Sequence, residues 1–360
     1  MPESIALHAK LVELPPDVVI DAHEFSVANR WLQKFAAIEA SDAMLLYATH
    51  PMVQPAITAL ADGVFRPALE AAWKAHGLTS FWYHTTNYRP EDKLVSMGGN
   101  APGIARNAFG LMGAVSFLIE TRGVGVGLQA FQRRVATHVL AAEAVIVTAA
   151  ADPRRLRETV AEARRASAAA RGDLIVAHRL AVAPVDLPMV DPATAADKPT
   201  AVPFQDSRAV IATAKRARPA GYLLTGEAAG VANRLALNTI AVCALAAAAA
   251  IEAEAFLLKG AVKRTNRESI NPDQSVEVEL AEKSLALPAG VLFVPMNQAA
   301  AVLAAAALEP DSPGSFIGTG TIALSPGTNE APIYRLSNEA TRRLRLAPLS
   351  GVAANACAPM

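Results

Sequence analysis

Residues 116–123, SFLIETRG, end an otherwise apolar run with a carboxylate and an arginine. A carboxylate presented from buried surroundings has its charged form disfavoured. Such a carboxylate usually has a job or a partner. Arg122 stands two positions further and, in a strand, shares the same face, so it either braces the carboxylate or pairs with it as a salt bridge. A second cluster follows the run DVVID at residues 17–21, where His23 and Glu24 lie just past the apolar residues. A histidine at such a place is either a metal ligand or a group bonded to neighbouring backbone.

Both clusters need strands to carry them. Residues 17–21, 43–49, 80–84 and 114–119 are short apolar runs of strand length, and residues 65–76 space their apolar side chains as a helix that stops at Gly77. Gly98, Gly99, Pro102 and Gly103 mark a loop ahead of the last of these strands. Leu128, Phe131, Val135, Val139, Ala142 and Val145 keep near-helical spacing, which predicts a long amphipathic helix covering the sheet. Strands alternating with helices predict an α/β fold, a mixed open sheet flanked by helices. In open α/β sheets ligands sit beyond the carboxyl ends of the strands, which is where both clusters fall.

The chain has 360 residues, enough for a second unit beyond one core. Residues 1–150 read as the α/β domain. Residues 151–203 read as a charged helix and then an extended linker or wrapping segment rich in proline (Pro184, Pro188, Pro192, Pro199, Pro203). Residues 204–345 carry short strand-like pieces separated by turns, a smaller strand-rich C-terminal domain, and residues 346–360 form a tail.

Lysine plus arginine and aspartate plus glutamate number 33 each, so no overall field gathers nucleic acid or an anionic membrane. The arginine cluster at residues 154–165 is interspersed with acids and reads as a solvated helix face. The longest apolar run, residues 239–258, is mostly alanine and contains Glu252 and Glu254, which argues against a membrane span. Cys243 and Cys357 are too few and too far apart in sequence to predict a disulfide framework or a cysteine zinc site. Gly123, Gly125 and Gly127 lack the spacing of a nucleotide loop.

VVIDAHE and FLIETRG together resemble the zinc metallocarboxypeptidases of the carboxypeptidase A type, in particular bacterial members with a C-terminal extension. That family sets its third zinc-binding histidine just after a buried strand, in an Asp-x-His context matched by His23. It sets its general base at the end of a later strand, in a Glu-x-Arg context matched by Glu120. The resemblance covers about residues 1–150 and implies the C-terminal half of a carboxypeptidase-like fold, a zinc cofactor and a peptide or small amide substrate with a free carboxylate. It also implies a substrate-facing tyrosine between the two motifs, for which Tyr88 is the candidate.

The sequence departs from the family at the first two zinc ligands, which the resemblance places in an earlier His-x-x-Glu motif. Only His8 precedes His23, and none of the seven histidines has glutamate three positions on. The expectation is therefore a chain that starts where the family's sheet is half built, lacks most of the metal site, and is weak or inactive as a peptidase by itself. An amidohydrolase of the succinylglutamate desuccinylase and aspartoacylase kind, and a non-catalytic truncated relative, are the alternative readings. No signal peptide is visible in MPESIALHAKLVELPPD, and on the expectation of a missing front part both export and a cytoplasmic location stay open. Arg106 and Asn107, in GIARNAFG, either bind a substrate carboxylate through the guanidinium fork or brace the loop.

Overall fold

The computed structural model describes residues 2–263, 274–325, 327–349 and 354–357, so residues 350–353 and 358–360 of the expected tail lie outside the described residues. Among the described residues β1 (Val18–Ser26), β2 (Ala43–Tyr47), β3 (Ser80–Trp82) and β4 (Val115–Val124) form a four-stranded sheet in the order β1-β4-β2-β3. β4 runs parallel to β1 and antiparallel to β2, while β2 and β3 are parallel. The sheet is thus mixed and open, as the sequence predicts. β4 lies inside it, and Val115, Phe117, Leu118 and Ile119 are all buried, which explains an apolar run without polar alternation. β1 is at the edge, and Ala22, His23 and Glu24 are exposed.

The helices among the described residues include α1 (Pro2–Glu13), α2 (Arg30–Phe35), α3 (Arg66–Ala75), α4 (Ala105–Leu111), α5 (Phe131–Ala151), α6 (Pro153–Ala169) and α7 (Ala301–Leu308). α3 ends before Gly77, whose φ of 67° is easy only for glycine. α3 packs on α5, with Trp73 Nε1 donating to the Thr137 carbonyl at 2.9 Å. α6 starts with Pro153 and is capped by Asp152, whose carboxylate accepts from the Arg155 N–H at 3.1 Å.

α5 differs from its expected orientation. It buries Thr137, Ala141 and Val145, one row at four-residue spacing, while Phe131, Val135 and Val139 face outward. The row Thr137, Ala141 and Val145, rather than the larger Phe131, Val135 and Val139, makes the contact. By length and composition α5 is apolar enough to cross a membrane, yet its buried row packs within the fold, and no membrane span is evident.

The proline-rich stretch is extended and paired. β5 (Leu174–Leu187) and β6 (Thr200–Arg216) form a long antiparallel ladder in which Pro184 and Pro203 are register partners, their fixed φ suiting extended backbone. β6 also pairs in parallel with Val95–Ser96, which ties this ladder to the loops beside the first sheet.

The strand-rich part is a seven-stranded antiparallel sheet among the described residues. Its strands are β7 (Gly221–Leu224), β8 (Cys243–Leu245), β9 (Ala249–Lys263), β10 (Gln274–Leu287), β11 (Leu292–Pro295), β12 (Glu330–Leu336) and β13 (Leu346–Pro348), ordered β10-β9-β12-β7-β11-β8-β13. Here the cysteine expectation is corrected: Cys243 and Cys357 form a disulfide across 114 residues. β13 pairs with β8 and brings the C-terminal turn beside Cys243, a proximity that sequence separation cannot express. α7 is buried along its whole length and packs against α4, α6 and β5.

Candidate functional site

The two sequence clusters meet across one strand pair. In the parallel register His23 stands opposite Glu120, and on the other side Glu120 stands opposite Met44. The Glu120 side chain faces a cavity of about 280 Å3 whose walls include Phe25, Arg30, Trp31, Met44, Tyr83 and Tyr88. Only 7% of Glu120 is exposed. Burial pushes its pKa above the usual carboxylate range and the charge of Asp21 adds to this, while His23, Arg106 and Arg30 oppose it. A carboxylate in this setting takes a proton readily, the property a general base requires.

His23 sits at the open side of β1, with Nε2 2.8 Å from Asp21 Oδ1. Its carbonyl lies 3.1 Å from His138 Nε2, which also reaches Thr121 Oγ1 at 3.2 Å. Among the described residues no three histidine, cysteine, aspartate or glutamate side chains come together as a metal-binding group. A catalytic zinc needs about three protein ligands. The residues present do not make such a site by themselves.

Arg122 extends away from Glu120. Its Nη2 donates to the Glu39 carbonyl at 2.6 Å and its N–H to the Asp42 carbonyl at 3.3 Å. No hydrogen bond or ion pair joins it to Glu120 among the described residues.

Arg106 and Asn107 lie on α4, behind the cavity wall. The Arg106 guanidinium is buried, donates to the Gly99 carbonyl at 2.8 Å, and has its pKa pulled down to about 10 by burial against the charges of Tyr83, Asp21 and Glu120. Gly98 makes room for it: at φ 89°, an added Cβ would lie 3.0 Å from Tyr83 and 3.3 Å from Arg106 Nη2. Asn107 is fully buried. Its amide oxygen accepts from the N–H groups of Thr49 (2.9 Å) and His50 (3.2 Å), and its nitrogen donates to the carbonyls of Gly99 and Ala101 at 3.2 Å each. Tyr88 stands exposed at the cavity rim, with the Arg30 guanidinium 4.9 Å from its ring centroid.

Three features beside Glu120 escape a sequence reading. His84, also on the cavity wall, is fully buried and pairs with the equally buried Glu39. Its Nδ1 faces the Trp82 carbonyl at 2.7 Å and its Nε2 faces Glu39 Oε1 at 2.9 Å. Both partners offer acceptor oxygens, an arrangement that favours the protonated ring. Burial pulls its pKa down, but the charge and hydrogen bond of Glu39 prevail and raise it. Arg30 and Asn29 are the other two, placed at the cavity where β1 gives way to α2. The residues linked to His84 and Arg30 lie 45 and 56 positions away, beyond any local pattern.

Carboxypeptidase 2 of Trichophyton equinum is 28% identical to this chain over 333 residues, which cover 89% of the chain and 60% of that protein. Carboxypeptidase 2 of Trichophyton rubrum is 28% identical over 331 residues, covering 89% and 60%. Carboxypeptidase 2 of Trichophyton tonsurans matches over 333 residues at 28% identity. The chain spans about 60% of the length of these relatives. No family model and no solved structure matches the chain. The likeness to these carboxypeptidases is a distant one.

Proposed function

We propose that this chain carries the base-bearing part of a zinc metallocarboxypeptidase-like site, acting on a peptide or small amide with a free carboxylate. The observation that supports it most is the His23–Glu120 register pair, with Glu120 buried at a cavity in a chain similar to carboxypeptidases. In this reading Glu120 Oε takes the proton of the attacking water and passes it to the leaving amine. A zinc held in a complete site would supply Lewis-acid chemistry at the carbonyl. His23 is the one residue of this chain assigned to hold it. The remaining ligands are not supplied by the described residues, so the chain by itself is expected to be inactive or weak.

The test is the metal content of the purified chain after zinc loading, together with hydrolysis of blocked dipeptides. Substoichiometric zinc and no turnover are expected. One tightly held zinc per chain with turnover abolished in Glu120→Gln overturns the inactivity, and turnover unaffected by that change overturns the role of Glu120.

A further inference from the structure

The outer edge of β1 and the outward side of α5 form one surface. Among the described residues no strand pairs with β1 on the side away from β4, and residues 18–22 include neither proline nor lysine, which commonly blunt an exposed edge. The bonds of α5 show which way its exposed side points. Arg133 reaches Asp42, just before β2, at 2.7 Å, whereas Arg134 reaches Glu24 at 2.8 Å and His138 the His23 carbonyl at 3.1 Å, both on β1. About a quarter-turn further round the helix from Arg134 and His138 come Phe131, Val135, Val139, Ala142 and Ile146, so this row flanks the open edge. Phe131, Val139 and Ile146 are 53, 56 and 66% exposed. None of the five carries a charge, and from Val135 onward they are spaced four, three and four apart, the seam by which one helix packs along another.

We infer that this surface joins two copies of the chain: the β1 edges pair antiparallel about a two-fold axis perpendicular to the sheet, and the α5 rows meet on one face of the extended sheet. A single symmetry operation supplies both a strand for the edge and an apolar helix for the row, from the same patch of the second copy. An uncharged row is complementary to itself, so no unpaired charge is buried when two of them meet. Edge and row together bury roughly 1,200 Å2 over the two copies, the lower end for a specific interface, so the contact is expected to be reversible at micromolar concentration. A lipid surface suits the row less well. Helices that lie on membranes present lysine and arginine on their polar face, and both arginines of α5 are engaged, by Asp42 and Glu24. Assembly of this kind is independent of the hydrolase reading.

Sedimentation equilibrium of the whole chain tests this. A monomer–dimer equilibrium is expected for the wild type. Val139→Glu, which puts a carboxylate into the contact from each copy, should weaken it at least about tenfold with the circular dichroism unchanged. If that variant misfolds, Val135→Cys, Val139→Cys and Ala142→Cys carry the test: under mild oxidation at least one should link two chains covalently, whereas Val182→Cys, exposed on β5, should not. A wild-type chain that stays monomeric up to about 100 μM overturns the inference. So does a dimer that Val139→Glu leaves equally tight, or one that none of the three cysteines on the row links. A monomer that binds phosphatidylcholine vesicles, and loses that binding in Val139→Glu, overturns it in favour of a lipid surface. A monomer that instead binds the unmatched part of carboxypeptidase 2 from Trichophyton equinum through the same row overturns it in favour of a different chain.

Discussion

His23 and Glu120 are register partners on the parallel strands β1 and β4, although 97 positions separate them in the chain. The pairing places an imidazole at an open sheet edge next to a carboxylate at a cavity, and it links the two sequence motifs in a single structural unit.

The Glu39–His84 pair gives stability a defined pH dependence. A histidine whose folded pKa is raised above its ordinary value of about 6.5 contributes stability that is complete below that value and is lost as pH rises through the folded pKa. Urea denaturation from pH 5.5 to 9 should therefore show the wild-type chain losing stability relative to Glu39→Gln above about pH 6.5. A difference that stays constant across this range contradicts the charge assigned to His84.

Asn107→Ala should destabilise the fold by about 2 kcal/mol or more, because the buried N–H groups of Thr49 and His50 lose their acceptor. Chemical denaturation measures this. Unchanged stability would point to a residue that serves a ligand rather than the loop.

Gly98→Ala should cost about 1–3 kcal/mol, since φ is 89° and the new methyl group meets Tyr83. The same change should alter the Arg106 guanidinium resonances in an NMR spectrum. A neutral effect on both contradicts the packing described.

Reduction of Cys243–Cys357, or its replacement by two serines, should lower the melting temperature, with a loss of about 2–5 kcal/mol for a bridge closing so long a loop. Identical melting curves with and without reductant would contradict a formed disulfide.

The strands were legible because burial on both sides leaves a compositional mark: SFLI is apolar without alternation since β4 lies inside its sheet. Glu120 was legible as the polar end of that run. His84 and Glu39 were not, because each acquires its meaning from the other across 45 positions. Arg30 carries no local signal either, and its place depends on a cavity that the fold creates. The outward face of α5 shows the converse limit: periodicity finds a helix, but the row buried is Thr137, Ala141 and Val145, with Phe131, Val135 and Val139 outward.

The base assignment is tested most directly in a chimera in which this chain replaces the matched part of carboxypeptidase 2 from Trichophyton equinum. On the proposed reading the remaining residues of that protein complete the site, and the chimera should hydrolyse a blocked dipeptide with a free C-terminus. Glu120→Gln in the folded chimera should then reduce kcat by about 10²–10⁴-fold with zinc content unchanged. A folded, zinc-loaded chimera that works equally well with glutamine at position 120 would contradict the account.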